Sequence, residues 1–184
     1  MDQPIELIGE RTAQISNGSL YTGHPHVGRL IIGTSGLCTA TLIGNTTVVT
    51  AAHCIKSGST HTFILDSGEQ IAASSTHVHP QYQGEGSSYD IAVVRLSKQP
   101  ANVAPGVVAT SAPAVGTAIT LIGYGVTMCN SVGQCNNDAN VKRRTTNSIS
   151  KLYQVEFRFD GGQSTCKGDS GGPAFATLGG REVQ

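Results

Sequence analysis

The feature that most constrains this 184-residue chain is a recurrence of short apolar runs, rich in β-branched residues and each closed by a turn signal. The runs "RLIIG" (29–33), "TATLIG" (39–44), "TVVTA" (47–51), "TFILD" (62–66), "DIAVVRL" (90–96) and "AITLIGYG" (118–125) have the length and composition of strands. Tyr153, Val155, Phe157 and Phe159 alternate with Gln154, Glu156 and Arg158, which predicts a further strand with one buried face. No stretch of about twelve residues carries a helical period. With no Trp and only 13% charged residues, the composition also favours strands and turns over helices.

Two stretches read as loops: the polar, Asn-rich 129–148, and 99–117, where Pro, Ala and Gly dominate and a linker between two halves is expected. The basic run Lys142-Arg143-Arg144 falls in the first and reads as solvated. Twelve basic residues balance twelve acidic ones, which points to no nucleic-acid partner and no anionic membrane partner. No apolar run approaches the length of a membrane-spanning helix.

Cysteines stand at 38, 54, 129, 135 and 166, an odd count that leaves one without an intrachain partner. Disulfides among them imply an exported protein, secreted or periplasmic. The opening "MDQPIELIGERTAQ" shows neither a basic n-region nor an apolar h-region. The pairs His24/His26 and His77/His79 lack the cysteine or carboxylate cluster that completes a metal site, so they read as surface or packing residues. Asp66, Glu69 and Glu85 are too scattered to define a calcium site. No metal and no cofactor are expected.

The chemistry-bearing residues begin with Gly168-Asp169-Ser170-Gly171-Gly172, which satisfies G-x-S-x-G, the pattern of an α/β-hydrolase elbow. That reading requires a histidine downstream of the serine, and no histidine follows residue 79. A base must therefore lie upstream. His53 ends the β-branched run "VVTAAHCI", and Asp90 opens "DIAVVRL". Each alone has a plain structural reading: a strand-end histidine, a turn-capping aspartate, a turn serine. In the order His, Asp, Ser, the segments Thr50–Cys54, Asp90–Ala92 and Gly168–Pro173 resemble the three signature segments of trypsin-like serine proteases. "ISNG" (15–18), "HPQY" (79–82) and "GYG" (123–125) resemble the family's mature N-terminus, the approach to its aspartate and its W-G turn.

The resemblance, over roughly residues 15–184, implies an all-β fold of two antiparallel six-stranded-type β-barrels with the active site in the cleft between them. Residues 1–14 are then a pro-segment or leader, 15–108 the first barrel, 109–116 the linker and 117–184 a second barrel, incomplete here because the family continues well past the serine. His53 serves as base, Asp90 orients it and Ser170 attacks. The N–H groups of Gly168 and Ser170 form the oxyanion hole, each donor worth about 10²–10³ in rate. Ser164 and Thr165 line a specificity pocket with no charge for Lys or Arg. It suits apolar or aromatic side chains, with Glu as the runner-up.

Cys38 and Cys54 match the family's bridge around the histidine, and Cys129 and Cys135 are placed for a local bridge. Cys166 matches a cysteine whose partner lies in the segment beyond residue 184. A free Ile15 amine pairs with Asp169 in the active form. Residues 1–14 block that amine, so this chain is expected to be a zymogen with little activity, its Asp169 loop resting in another arrangement. The partners implied are a peptide or protein substrate, an activating protease and that C-terminal segment. The competing function is a catalytically inactive, protease-like binding or regulatory module.

Overall fold

The computed structural model describes residues 18–129, 132, 134–160 and 165–184. Strands β2 (Val27–Ile32), β3 (Gly36–Gly44), β4 (Thr47–Thr50), β5 (His61–Ile64), β6 (Gln70–Val78) and β7 (Ala92–Leu96) form a closed antiparallel barrel in the order β2-β3-β4-β7-β6-β5. Closure through the β2–β5 pair leaves this barrel no open edge. Burial alternates along β4, β5 and β7, as inward- and outward-facing side chains require. Leu30, Leu42, Val48, Phe63, Ile71 and Val94 fill the interior with the sulfurs of Cys38 and Cys54.

The second unit is a curled half-barrel sheet. It has the order β1-β9-β8-β11-β12, with β10 also on β9, where β1 is Ser19–Leu20, β8 Ala118–Gly123, β9 Arg143–Leu152, β10 Phe157–Phe159, β11 Ala174–Leu178 and β12 Arg181–Val183. Ile119, Leu121 and Ile149 form its small core. The all-β expectation holds: the described residues contain no α-helix and one short 3₁₀ turn, Ala52–Cys54. The segment 99–117 carries no strand, as expected.

Three local readings differ from the structure. The alternating stretch 153–159 is mostly a hairpin turn, closed by Tyr153 N–H to Glu156 O at 2.8 Å. Tyr153, Val155 and Phe157 are exposed, and only Phe159 packs against the core. The loop read over 129–148 ends early, since β9 begins at Arg143. The C-terminal "GGREVQ" is a hairpin. Gly179 and Gly180, with φ of 58° and 79°, make the tight turn that pairs Leu178 with Arg181. Gln184 then exchanges two backbone hydrogen bonds of 2.8 Å with Val107 and Ala109.

The third concerns Lys142, which is buried, not solvated. Its Nζ lies 2.5 Å from Asp66 Oδ2 and donates to the carbonyls of Gly23 (3.1 Å) and His24 (3.0 Å). The Tyr124 hydroxyl, 2.5 Å from Asp66 Oδ1 and 3.0 Å from Val27 O, completes this cluster. Burial lowers the Lys142 pKa, and the Asp66 carboxylate opposes that shift. The cluster ties the β5–β6 turn of the barrel to the start of β9, beside the seam core of Val27, Ile122, Tyr124 and Phe175. Asp66 is thus committed to Lys142 and Tyr124. Glu69 is likewise committed, to Lys98 (2.8 Å) and the Ala101 N–H.

Candidate active site

His53 sits in the 3₁₀ turn that follows β4, pinned by the Cys38–Cys54 disulfide. A loop of that length is worth about 3 kcal/mol in the chain-entropy model. Asp90 stands just before β7, the neighbour of β4 in the barrel. One carboxylate oxygen, Oδ2, accepts from His53 Nδ1 at 2.7 Å, and the other, Oδ1, accepts the His53 backbone N–H at 2.9 Å. The two contacts fix the imidazole and the backbone of His53 together. A carboxylate can only accept, so Nδ1 carries the proton and Nε2 is left as the basic nitrogen.

Ser170 lies between the second sheet and the barrel. Its carbonyl accepts the Thr39 N–H at 2.9 Å and is 3.8 Å from Cys54 Sγ, which brings it beside the His53 turn. Among the described residues, Ser170 Oγ makes no hydrogen bond to His53. Such bonds are often long before substrate binds. The glycines here have a steric reason: Gly171 has φ of 77°, and a Cβ on it would collide with Thr50 Oγ1 and Ala51 N. Gly168 has φ of 97°, and neither its N–H nor that of Ser170 donates to another described residue.

Asp169 is buried. Oδ1 accepts the Gly125 N–H and Oδ2 the Cys166 N–H, each at 2.8 Å. Gly123 and Gly125 bracket the carboxylate so closely that a Cβ on either would overlap it. Among the described residues it has no ion-pair partner. Burial, only partly offset by the two N–H groups, pushes its pKa from 3.8 to about 6.

His26 is shifted the opposite way. Its Nε2 is buried without a partner, and burial, with His24 and Lys142 nearby, pushes its pKa from 6.5 to about 4. The two groups oppose each other in acid. Folded Asp169 takes up a proton before the unfolded chain does, which adds stability as pH falls through 6, on the order of 3 kcal/mol, and is lost as pH rises through that value. Folded His26 refuses a proton that the unfolded chain accepts, so its contribution is lost as pH falls from 6.5 towards 4. We expect Asp169→Asn to steepen the loss of melting temperature between pH 6.5 and 4, and His26→Gln to reverse its slope. Melts across that range, compared with the parent, check both signs.

Cys129 and Cys135 are bonded, and Cys166 is the free cysteine, with its Sγ 3.7 Å from Cys129 Sγ. Burial raises its thiol pKa. Thr165 is half-buried just ahead of it. Ser164 and Ile15 lie outside the described residues. His24 is occupied by Tyr21 OH (2.7 Å) and Glu182 (2.8 Å).

Thr39 was not singled out in the sequence. Fully buried, it donates Oγ1–H to Gly168 O at 2.8 Å and accepts the Tyr124 N–H at 3.1 Å, joining the barrel to the serine loop and the GYG turn. A threonine alternating with the core-facing Cys38, Ala40 and Leu42, and so on the outer face of β3, was the available signal.

A closed six-stranded barrel beside a curled half-barrel, with a histidine–aspartate pair on the barrel side and a glycine-flanked serine opposite, is the layout of the chymotrypsin fold. The chain belongs to the trypsin family, whose family model matches residues 15–184. Trypsin-1 of Salmo salar is 32% identical over 156 residues, covering 74% of this chain and 64% of that protein. Trypsin of Sus scrofa is 33% identical over 161 residues, covering 76% and 69%. The aligned part of the chain thus spans under two thirds of the salmon protein's length. The solved structure of neuropsin, described as a serine protease expressed in the limbic system of mouse brain, superposes with a TM-score of 0.74 at 24% identity. It covers 87% of this chain and 82% of that one, a likeness of fold.

Proposed function

We propose that the chain is a serine endopeptidase that hydrolyses peptide bonds through an acyl-enzyme on Ser170. The observation that carries this reading is the two-point grip of Asp90 on His53, at 2.7 and 2.9 Å. It leaves Nε2 free to take the Ser170 proton. Ser170 Oγ then bonds the substrate carbonyl carbon, and the oxygen's developing charge is received by the N–H groups of Gly168 and Ser170. Collapse breaks the C–N bond, and His53 returns the proton to the leaving amine. Water, deprotonated by the same nitrogen, then releases the acid and restores Ser170.

The reading includes a latent state. With residues 1–14 attached, the Ile15 amine is a peptide nitrogen and cannot pair with Asp169, whose buried carboxylate is without a cation among the described residues. An activating protease that cuts ahead of Ile15 supplies that charge. The residues before the cut are Ala13-Gln14, so the activator is not trypsin-like. Two disulfides fit an exported protein.

A second reading, an inactive protease-like binding module, is favoured by the missing Ser170–His53 hydrogen bond. Profiling the form opened at Ile15 with a peptide library tests both readings. Cleavage after apolar or aromatic residues is expected, since Ser164 and Thr165 bring no negative charge. Dominant cleavage after Lys or Arg overturns the specificity, and no cleavage of any peptide favours the module.

A further inference from the structure

Tyr89, the residue immediately before Asp90, has φ of 64°, in the left-handed region that bulky side chains avoid. A tyrosine stays there only where its surroundings hold it. Its ring lies flat on that of His79, with centroids 4.7 Å apart and planes 8° from parallel. The His79 ring is itself fixed, because Nδ1 accepts the Gln81 N–H at 3.2 Å. The backbone of His79 grips the other side of the aspartate, donating its N–H to Ile91 O at 3.0 Å, while Ile91 N–H closes onto Tyr89 O at 2.7 Å.

One residue thus holds the chain just before Asp90 through its ring and just after it through its backbone. We propose that His79 and Tyr89 are positioning residues, a clamp that fixes the backbone at Asp90 so that both carboxylate oxygens meet His53. Released from the stack, Tyr89 relaxes towards extended backbone. The Cα–Cβ direction of Asp90 turns with it, and the carboxylate leaves His53 Nδ1. The proposal rests on the triad reading for its effect on chemistry, but the geometry of the His53–Asp90 pair reports on the clamp directly.

The test compares Tyr89→Ala, Tyr89→Phe, Tyr89→Gly and His79→Ala by two readouts. One is the low-field proton resonance of the His53 Nδ1–H bonded to Asp90. The other is the rate at which a fluorophosphonate labels Ser170 in the form opened at Ile15. Tyr89→Ala is expected to lose the resonance and to label about 10²-fold more slowly, the size of effect that an ångström of misplacement produces. Tyr89→Phe, which keeps the ring, restores both. His79→Ala matches Tyr89→Ala, and the double variant is no worse than either, since both remove one contact.

If Tyr89→Ala does not fold, His79→Ala decides. Glycine accepts the left-handed backbone unaided, so Tyr89→Gly should keep more of the resonance than His79→Ala. A resonance of parental intensity in His79→Ala, with labelling within about twofold, overturns the clamp. If the parent itself does not label, the protease reading fails, and the resonance alone decides the clamp.

Discussion

Ser170→Ala is expected to lower turnover by about 10⁶-fold, because removing one member of a unit that acts together costs nearly as much as removing all of it. The fold should be indifferent. Ser170 is anchored by its backbone, through Thr39 N–H to Ser170 O at 2.9 Å, and its hydroxyl holds nothing else among the described residues. The turn around it depends on Gly168 and Gly171, whose φ values of 97° and 77° the substitution leaves alone. Steady-state rates and a thermal melt on the form opened at Ile15 separate the two effects. A variant that keeps a tenth of the parental rate removes Ser170 from the chemistry, and a collapse of the melting temperature assigns it a structural role.

Asp90→Asn is the second large effect, with an expected loss of about 10⁴-fold. An amide has one accepting oxygen where the carboxylate has two. If that oxygen keeps the His53 N–H, now bonded at 2.9 Å, the NH₂ faces Nδ1. Nδ1 then becomes the acceptor, the proton moves to Nε2, and the nitrogen that should deprotonate Ser170 is already protonated. The side-chain volume barely changes and the pair is only half-buried, so stability should move little. Nitrogen NMR of His53 reads the tautomer directly. An enzyme with Nε2 still unprotonated and a loss of less than about tenfold contradicts the role of Asp90.

Much of this was legible in the sequence because it is local. Strands β2 to β5, β7 and β8 are apolar runs bounded by turn residues, and the three segments around His53, Asp90 and Ser170 each carry their neighbours with them. What failed was either periodic without being packed or dependent on distant partners. Tyr153, Val155 and Phe157 alternate with polar residues, yet a turn closes between Tyr153 and Glu156, so two-residue periodicity alone does not show that a face is covered. Lys142 sits in a basic triplet that reads as solvated. Its partners are Asp66 and the carbonyls of Gly23 and His24, brought to it from the other barrel. Nor does the tyrosine at 89 announce a left-handed backbone, which glycine or asparagine would have signalled, since the stacking partner that permits it is His79.

Asp169 has no ion-pair partner among the described residues, and the Gly125 and Cys166 N–H groups, together with a pKa pushed up to about 6, make its buried position tenable. The pocket formed against it by Gly123 and Gly125 belongs to the GYG turn, and Thr39 links that turn to the serine loop.

The central claim is that His53, Asp90 and Ser170 act as one nucleophilic unit. Mapping the site of a fluorophosphonate adduct by mass spectrometry, in protein cut ahead of Ile15, tests it most directly. The account predicts one adduct per chain, on the peptide containing Ser170. It should be absent from Ser170→Ala, slowed by orders of magnitude in His53→Ala and weak in uncut protein. An adduct elsewhere, none after the cut, or undiminished labelling in His53→Ala would contradict it.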